Sequence, residues 1–330
     1  MQHPLVAAAL GAVVFSFAVE AACAASNDLP LIDHIVVVVM ENHSFDQIVD
    51  PLRAPFLHRL AMDGALFVNS FAVTHPSQPN YFALFSGSTQ GITDDEDHTF
   101  DVPTLASALK GAGKSFIGYV ETGSPRKHNP WESFVNARAT ERNFSEFPRE
   151  FTQLPTISFV IPSLNHDMHD GSVRMGDNWL RFRFNRYAEW AKTHNSLLII
   201  TFDEDDGGPK NHIPTIIYGA HVRPGAYAEH LSHYRMLSTL LALYGLTPFA
   251  EAATAPPIVS IWEKWTSRPL CHEPRSPQYV RRRRSTSRRS RVAAQRAVAG
   301  VSLGIGVCIG PNKPASGSSW SAFCQSCRGM

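Results

Sequence analysis

A carboxylate and an amide stand side by side at Glu41-Asn42, directly after the apolar run His34-Ile35-Val36-Val37-Val38-Val39-Met40. A short β-branched run bounded by polar residues reads as a strand buried on both faces. In open α/β sheets the ligand crevice lies outside the carboxyl ends of the strands, so on this stretch alone Glu41 and Asn42 read equally as metal ligands or as a strand followed by a polar helix cap. The arrangement recurs twice. A strand predicted over residues 156–161 runs into Asn165-His166-Asp167-Met168-His169-Asp170. Another, over residues 196–202, ends in Asp203-Glu204-Asp205-Asp206-Gly207-Gly208, with His212 shortly after. One acidic loop is ordinarily a solvated turn. Three that converge on one sheet edge repel one another and raise each other's pKa, a penalty that a divalent cation removes. Mainly oxygen ligands suit Mg²⁺, Ca²⁺ or Mn²⁺, while the nearby histidines keep Zn²⁺ or Fe open.

A nucleophile is offered by Thr74-His75-Pro76-Ser77-Gln78-Pro79-Asn80-Tyr81. Pro79 suits the first turn of a helix, with Ser77 at or just before its cap. Backbone N–H groups and the helix dipole gather at such a start, which makes it a phosphate cradle. A serine there is usually only a cap. Facing a metal held by Glu41 and Asn42, its hydroxyl would be a nucleophile.

The elements that must position these groups follow from periodicity. Residues 54–64, 103–111, 178–193 and 232–244 have helical character, the last closed by Gly245. Further strands are predicted over 66–73, 114–120 and 214–219. Strands alternating with helices argue for a layered α/β sheet. Residues 121–151 lack a clear period and are expected to wall the crevice.

The chain has 330 residues, 44% of them hydrophobic, enough for one large domain with appendages. A formal net charge of +1 gives no global preference for nucleic acid. Residues 24–270 hold no cysteine, so the body of the fold owes nothing to disulfides or thiolate sites. A lone C-x-x-C at Cys324 and Cys327 is a weak zinc signal. The apolar stretch over residues 5–25 ends in Ala22-Cys23-Ala24, which satisfies the small-x-small rule for signal-peptide cleavage. It is short for a bilayer span, so residues 1–25 are read as a signal peptide and the mature chain as secreted or periplasmic, without a transmembrane span. From residue 267 the composition breaks into Arg281-Arg282-Arg283-Arg284-Ser285-Thr286-Ser287-Arg288-Arg289 and a Gly/Ser/Ala-rich tail. That composition reads as a disordered basic tail. Its charge alone also suits anionic envelope polymers or lipid head groups. Domain boundaries are set at 1–25, 26–266 and 267–330.

The ordered motifs resemble a known family. Asp33-His34 through Glu41-Asn42-His43-Ser44-Phe45-Asp46 is similar to the opening motif of the bacterial phosphoesterases, a group of secreted acid phosphatases and phospholipases C. Asn165 to Asp170 resembles their Asn-Asp-Met-His-Asp block, and Asp203-Glu204 through His212-Ile213-Pro214 their Asp-Glu…Asp-His-Val-Pro block. The resemblance covers residues 30–262 and implies an alkaline-phosphatase-like α/β/α sandwich. It implies Glu41, Asn42, Asp203 and Glu204 as metal ligands, Ser77 as nucleophile and Asn80 as a phosphate donor. His75, His169 and His212 match histidines that line the phosphate pocket, with His169 or His212 protonating the leaving oxygen. Two departures stand out: Asn211 replaces an aspartate, and His166 has no counterpart. Ser44 is a rival nucleophile by position. The sequons at Asn42 and Asn143 read as chance matches, since a ligating Asn42 cannot be glycosylated.

The expected function is a secreted, metal-dependent phosphomonoesterase of acid-phosphatase type acting on a phosphate-ester substrate through a phosphoserine. The alternatives are a phospholipase C-type diesterase and a non-enzymatic envelope-binding protein that uses the arginine-rich tail.

Overall fold

The run of valines after His34 forms β1 (His34–Met40), which lies inside an eight-stranded sheet. A computed structural model of the chain describes residues 29–263. The expected signal peptide over 1–25 and the basic tail over 267–330 lie outside the described residues. Across the sheet the order is β5 (Glu141–Asn143), β4 (Phe116–Val120), β6 (Ile157–Ile161), β1, β7 (Ser196–Phe202), β8 (Thr215–Gly219), β2 (Ala65–Phe67) and β9 (Gly225–Tyr227). The first five strands run parallel, and β8 is antiparallel to both β7 and β2. A separate parallel pair joins β3 (Ser70–Phe71) to β10 (Leu231–Ser232).

Alternation along β1 divides the core in two. Ile35, Val37 and Val39 enter one cluster, and Val36, Val38 and Met40 enter the other. The first cluster is covered by α3 (Ser77–Ser86), α4 (Leu105–Gly111) and α6 (His233–Ala242). The second is covered by α2 (Pro55–Asp63) and α5 (Val173–Ala191). The result is an α/β/α sandwich. Each fully buried valine or isoleucine contributes about 1.5–3 kcal/mol, so β1 is anchored from both sides and Glu41 is delivered from a rigid base. A single helical turn, α1 (Phe45–Ile48), follows the site residues.

Most predicted elements are present within a few residues, and the departures have local causes. The expected strand over 66–73 is two strands with different partners, β2 on the main sheet and β3 on β10. The polar pair Asn69-Ser70 marks the break locally, between two apolar stretches that together read as one strand. Helix α5 begins five residues earlier than its apolar period, because the Ser172 hydroxyl accepts the Met175 N–H at its start. Helix α2 starts after Ala54, which cannot cap. Its free N–H groups at Phe56 and Leu57 donate instead to the buried Asp177 of α5, which locks the two helices together.

Candidate active site

Loops after β6, β1 and β7 meet at the carboxyl edge and are tied by their backbones. Glu41 N–H donates to the Asp167 carbonyl and Asp203 N–H to the Met40 carbonyl, each at 2.9 Å. Glu41, Asp167, Asp203 and Glu204 are all buried there. Asn42 adopts φ 49°, in the left-handed region that asparagine tolerates. Its N–H donates to Asp203 Oδ1 at 3.2 Å. The third acidic residue of the β7 loop is structural. Asp205 accepts the N–H groups of Gly207, Gly208 and His212, which turns the chain back into β8. Asn211, in the position of the family's aspartate, also sits at positive φ and ties Asp205 N–H to the Thr74 carbonyl.

Ser77 is the first residue of α3 rather than its cap; Pro76 holds that place. Its side chain is 2% exposed, with Oγ 3.0 Å from Glu204 Oε1 and 3.3 Å from Glu41 Oε2. One turn along the same helix face, Tyr81 donates its hydroxyl to Glu41 Oε1. His128 brings its Nε2 to 3.3 Å from the same Oε1, and its Nδ1 to 3.7 Å from Asp167 Oδ2.

The electrostatics are those of crowded, dry carboxylates. Burial, and then the charges of Asp203 and Asp167, hold the Glu41 carboxyl well above its usual range. Burial and then Glu204 do the same to Asp203. Burial pushes Asp167 up to about 7 and raises Glu204. It also pulls His128 down to about 3, which leaves a neutral imidazole. Among the described residues no lysine or arginine forms an ion pair with these four carboxyls. Buried charges without a partner are costly, and Asn42 Oδ1, Asp203 Oδ2, Asp167 Oδ2 and both His128 nitrogens are buried without hydrogen bonds. Such a set fits a divalent cation: oxygen donors with one neutral imidazole. One donor atom each from Glu41, His128 and Asp167 lie within 4.8 Å of one another.

The sequence-derived residues divide into two groups. Glu41, Asn42, Ser77, Asp203 and Glu204 converge. His75 sits at the mouth, its Nδ1 bonded to Glu204 Oε2 and its Nε2 3.5 Å from Asp205. His169 lies at the rim, its ring centroid 6.0 Å from that of His128 and its Nδ1 2.7 Å from Asp170 Oδ1. Asn80 has its amide engaged by the backbone. Its Oδ1 accepts from Val73 and Thr74 N–H, and its Nδ2 donates to the Thr74 and Pro76 carbonyls. His212 stands apart, stacked on Phe45 at 4.7 Å and packed on Phe71, with Nε2 3.1 Å from the Val68 carbonyl. Ser44, the rival nucleophile, starts α1 and exchanges bonds with Gln47. Sequence reasoning did not single out Tyr81, His128 or Asp167. Tyr81 is recoverable from its i+4 spacing to Ser77. Asp167 lies inside the quoted acidic segment. His128 comes from a 3₁₀ turn (Arg126–His128) in the region without periodicity and carried no signal.

Comparison with known proteins places this arrangement. A family model described as the phosphoesterase family matches residues 49–247. A phosphatidylinositol-3-phosphatase of Mycobacterium tuberculosis is 48% identical over 255 residues, covering 72% of this chain and 85% of that protein. The phosphate-repressible acid phosphatase of Penicillium chrysogenum is 29% identical over 65% of this chain, which spans 59% of that protein's length. Among solved structures, a protein of the alkaline phosphatase superfamily from Vibrio parahaemolyticus superposes with a TM-score of 0.52 at 17% identity. That match covers 69% of this chain and 71% of the other. The lipoteichoic acid synthase LtaP of Listeria monocytogenes gives 0.52 at 10% identity, covering 72% and 78%. The sandwich is therefore the alkaline-phosphatase-like one that the motifs imply.

Proposed function

Because this chain belongs to the phosphoesterase family and hydrolyses phosphoric esters, we propose that it is a secreted, divalent-metal-dependent phosphomonoesterase working through a phosphoserine at Ser77. The observation that carries this reading is the Ser77 hydroxyl, buried at the start of α3 and set between two carboxylates. Relatives named as phosphatases support monoester chemistry. The name of the 48% identical relative makes a phosphoinositide 3-monoester a substrate class to test. The small-x-small site at Ala22-Cys23-Ala24 supports secretion. Among the described residues no helix is long and apolar enough to cross a membrane.

Glu41, Asn42, Asp203 and Glu204 would hold a divalent cation, with Asp167 and His128 as further donors, and the bound ion would supply Lewis-acid stabilisation of the phosphoryl oxygens. The protein's own groups do the rest. Ser77 Oγ attacks phosphorus in line and gives its proton to Glu204 Oε1, the nearer carboxylate oxygen at 3.0 Å, which later returns it. His169, oriented by Asp170, protonates the departing alkoxide from the rim. Water then cleaves the phosphoserine. His75 keeps Glu204 turned toward Ser77.

The test uses full-length protein stripped of metal and resupplied with single divalent ions. Metal-dependent hydrolysis of p-nitrophenyl phosphate, with acid-quenched label on Ser77 that Ser77→Ala abolishes, is the expected result. Full activity in Ser77→Ala would refute the nucleophile, and preference for p-nitrophenyl phosphorylcholine would move the substrate class to phospholipids.

A further inference from the structure

Beside the carboxylate cluster lies one ammonium that the reading above does not use. Lys127 is the residue before His128, in the turn whose histidine enters the cluster. Its side chain is 25% exposed and donates to Asp95 Oδ2 at 2.7 Å. That is the hydrogen bond it makes among the described residues, and an ammonium has three donors. Two N–H groups of a largely covered cation are therefore available. Asp95 fixes where they stand, because its other oxygen accepts the Gln78 N–H at 3.0 Å, one residue after Ser77. The bracing continues outward. The buried Gln78 side chain donates to the carbonyls of Asp94 and Glu96. Arg126 holds the same loop through Asp97 and the His98 carbonyl. Lys127 is thus held by a carboxylate that is itself held by the first turn of α3, the turn that carries Ser77. Its direct ion pair with Asp95 favours the charged form, so it stands there as an ammonium.

A phosphomonoester dianion entering this site meets four buried carboxyls, and the ammonium of Lys127 is braced through Asp95 to the residue after Ser77. We propose that Lys127 binds a non-bridging oxygen of a phosphomonoester dianion at Ser77 and selects monoesters over diesters, with Asp95 as its positioning residue. The inference rests on the phosphoesterase reading and deepens it. A monoester carries one more negative charge and one more terminal oxygen than a diester. A cation that binds this third oxygen favours the monoester, whereas a diester places an ester group there and gains nothing from it. Lysine suits this role as a compact point charge with donors to spare.

The experiment uses the full chain, loaded with the divalent ion that supports turnover, as wild type, Lys127→Ala, Lys127→Arg and Asp95→Asn. Hydrolysis of p-nitrophenyl phosphate and of its bis-ester is measured beside binding of inorganic phosphate by calorimetry. In Lys127→Ala the monoester kcat/KM should fall about 10²-fold while the diester changes by less than about 3-fold, the size expected for loss of one fixed donor to a transition-state oxygen. Phosphate affinity should fall at least about 10-fold, Lys127→Arg should recover part of both losses, and Asp95→Asn should show a smaller loss with the same monoester bias. Equal losses on the two esters, or unchanged phosphate affinity, would overturn the proposal. The phosphate arm keeps this separate from the reading it rests on. A wild type that binds phosphate but cleaves neither ester would sink the phosphoesterase activity, and the Lys127 assignment would then stand or fall on the variant's affinity alone. A wild type that binds no phosphate would overturn both. A thermal midpoint close to wild type in Lys127→Arg and Asp95→Asn excludes misfolding as the cause.

Discussion

On one side of Glu41, Oε2 meets the Ser77 hydroxyl, with His75 at the mouth beyond. On the other, Oε1 meets Tyr81 and His128 in a space that reaches Asp167 and has no access to solvent. The first side holds a reactive hydroxyl and an entrance. The second holds a neutral imidazole, an orphan carboxylate oxygen and a phenol that burial, and then Glu41, makes harder to ionise. A single carboxylate therefore divides a reacting half from a half that can only hold charge. Chemistry needs exchange with water and substrate; a charge held firmly needs their absence, since the same low dielectric that strengthens a contact makes an unmet one costly.

The sharpest break of this comparison sets Ser77→Ala against His128→Ala. Ser77→Ala should lower kcat by about 10⁴-fold or more and leave bound metal, counted by elemental analysis, unchanged. His128→Ala and Asp167→Asn should weaken metal binding at least about 10-fold and recover turnover when excess ion is supplied. A Ser77 variant without metal, or a His128 variant with full metal affinity, would dissolve the division between the two sides.

The two histidines first proposed as acids give the next test. His169→Ala should lower kcat about 10²-fold and flatten the alkaline limb of the pH–rate profile. His212→Ala, removing a ring packed between Phe45 and Phe71, should instead lower the thermal midpoint and leave that limb in place. The opposite pattern would return His212 to the chemistry.

The smallest effect is thermodynamic and concerns the metal-free protein. Asp167, ordinarily at 3.8, is pushed to about 7 in the fold, so its contribution is full below 3.8 and is lost as pH rises through 7. Glu41 and Asp203 shift in the same direction. His128 and His233 are lowered, to about 3 and about 4, and oppose this only below their unfolded value of 6.5. Between pH about 6.5 and 8 the carboxyls act alone, and the thermal midpoint of metal-free protein should fall with pH by several degrees. A saturating divalent ion should remove that slope. A midpoint rising through this window would mean that the carboxyls do not repel.

How much of this was legible in the chain depends on the range of the interaction. The strand after Asp33, the helices after Ala54 and Pro103 and the strand before Asp203 are readable because apolar period is local. Glu41, Asn42, Asp203 and Glu204 were readable because each follows directly on a strand whose end must face the crevice. Ser77 was readable from its helix start, although it proved to be inside the helix. The sequence alone thus determined the layered α/β class, the acidic residues delivered to the sheet edge, and the ordered motifs of the family. Only the tertiary structure decided which partners those residues meet. It sent the Asn80 amide to the backbone of residues 73–76, turned His212 into a stack between two phenylalanines, and brought His128 from a turn without periodicity into the carboxylate cluster. The direction of a side chain out of a loop is set by contacts with residues far away in the chain. No local pattern of residue types carries that information.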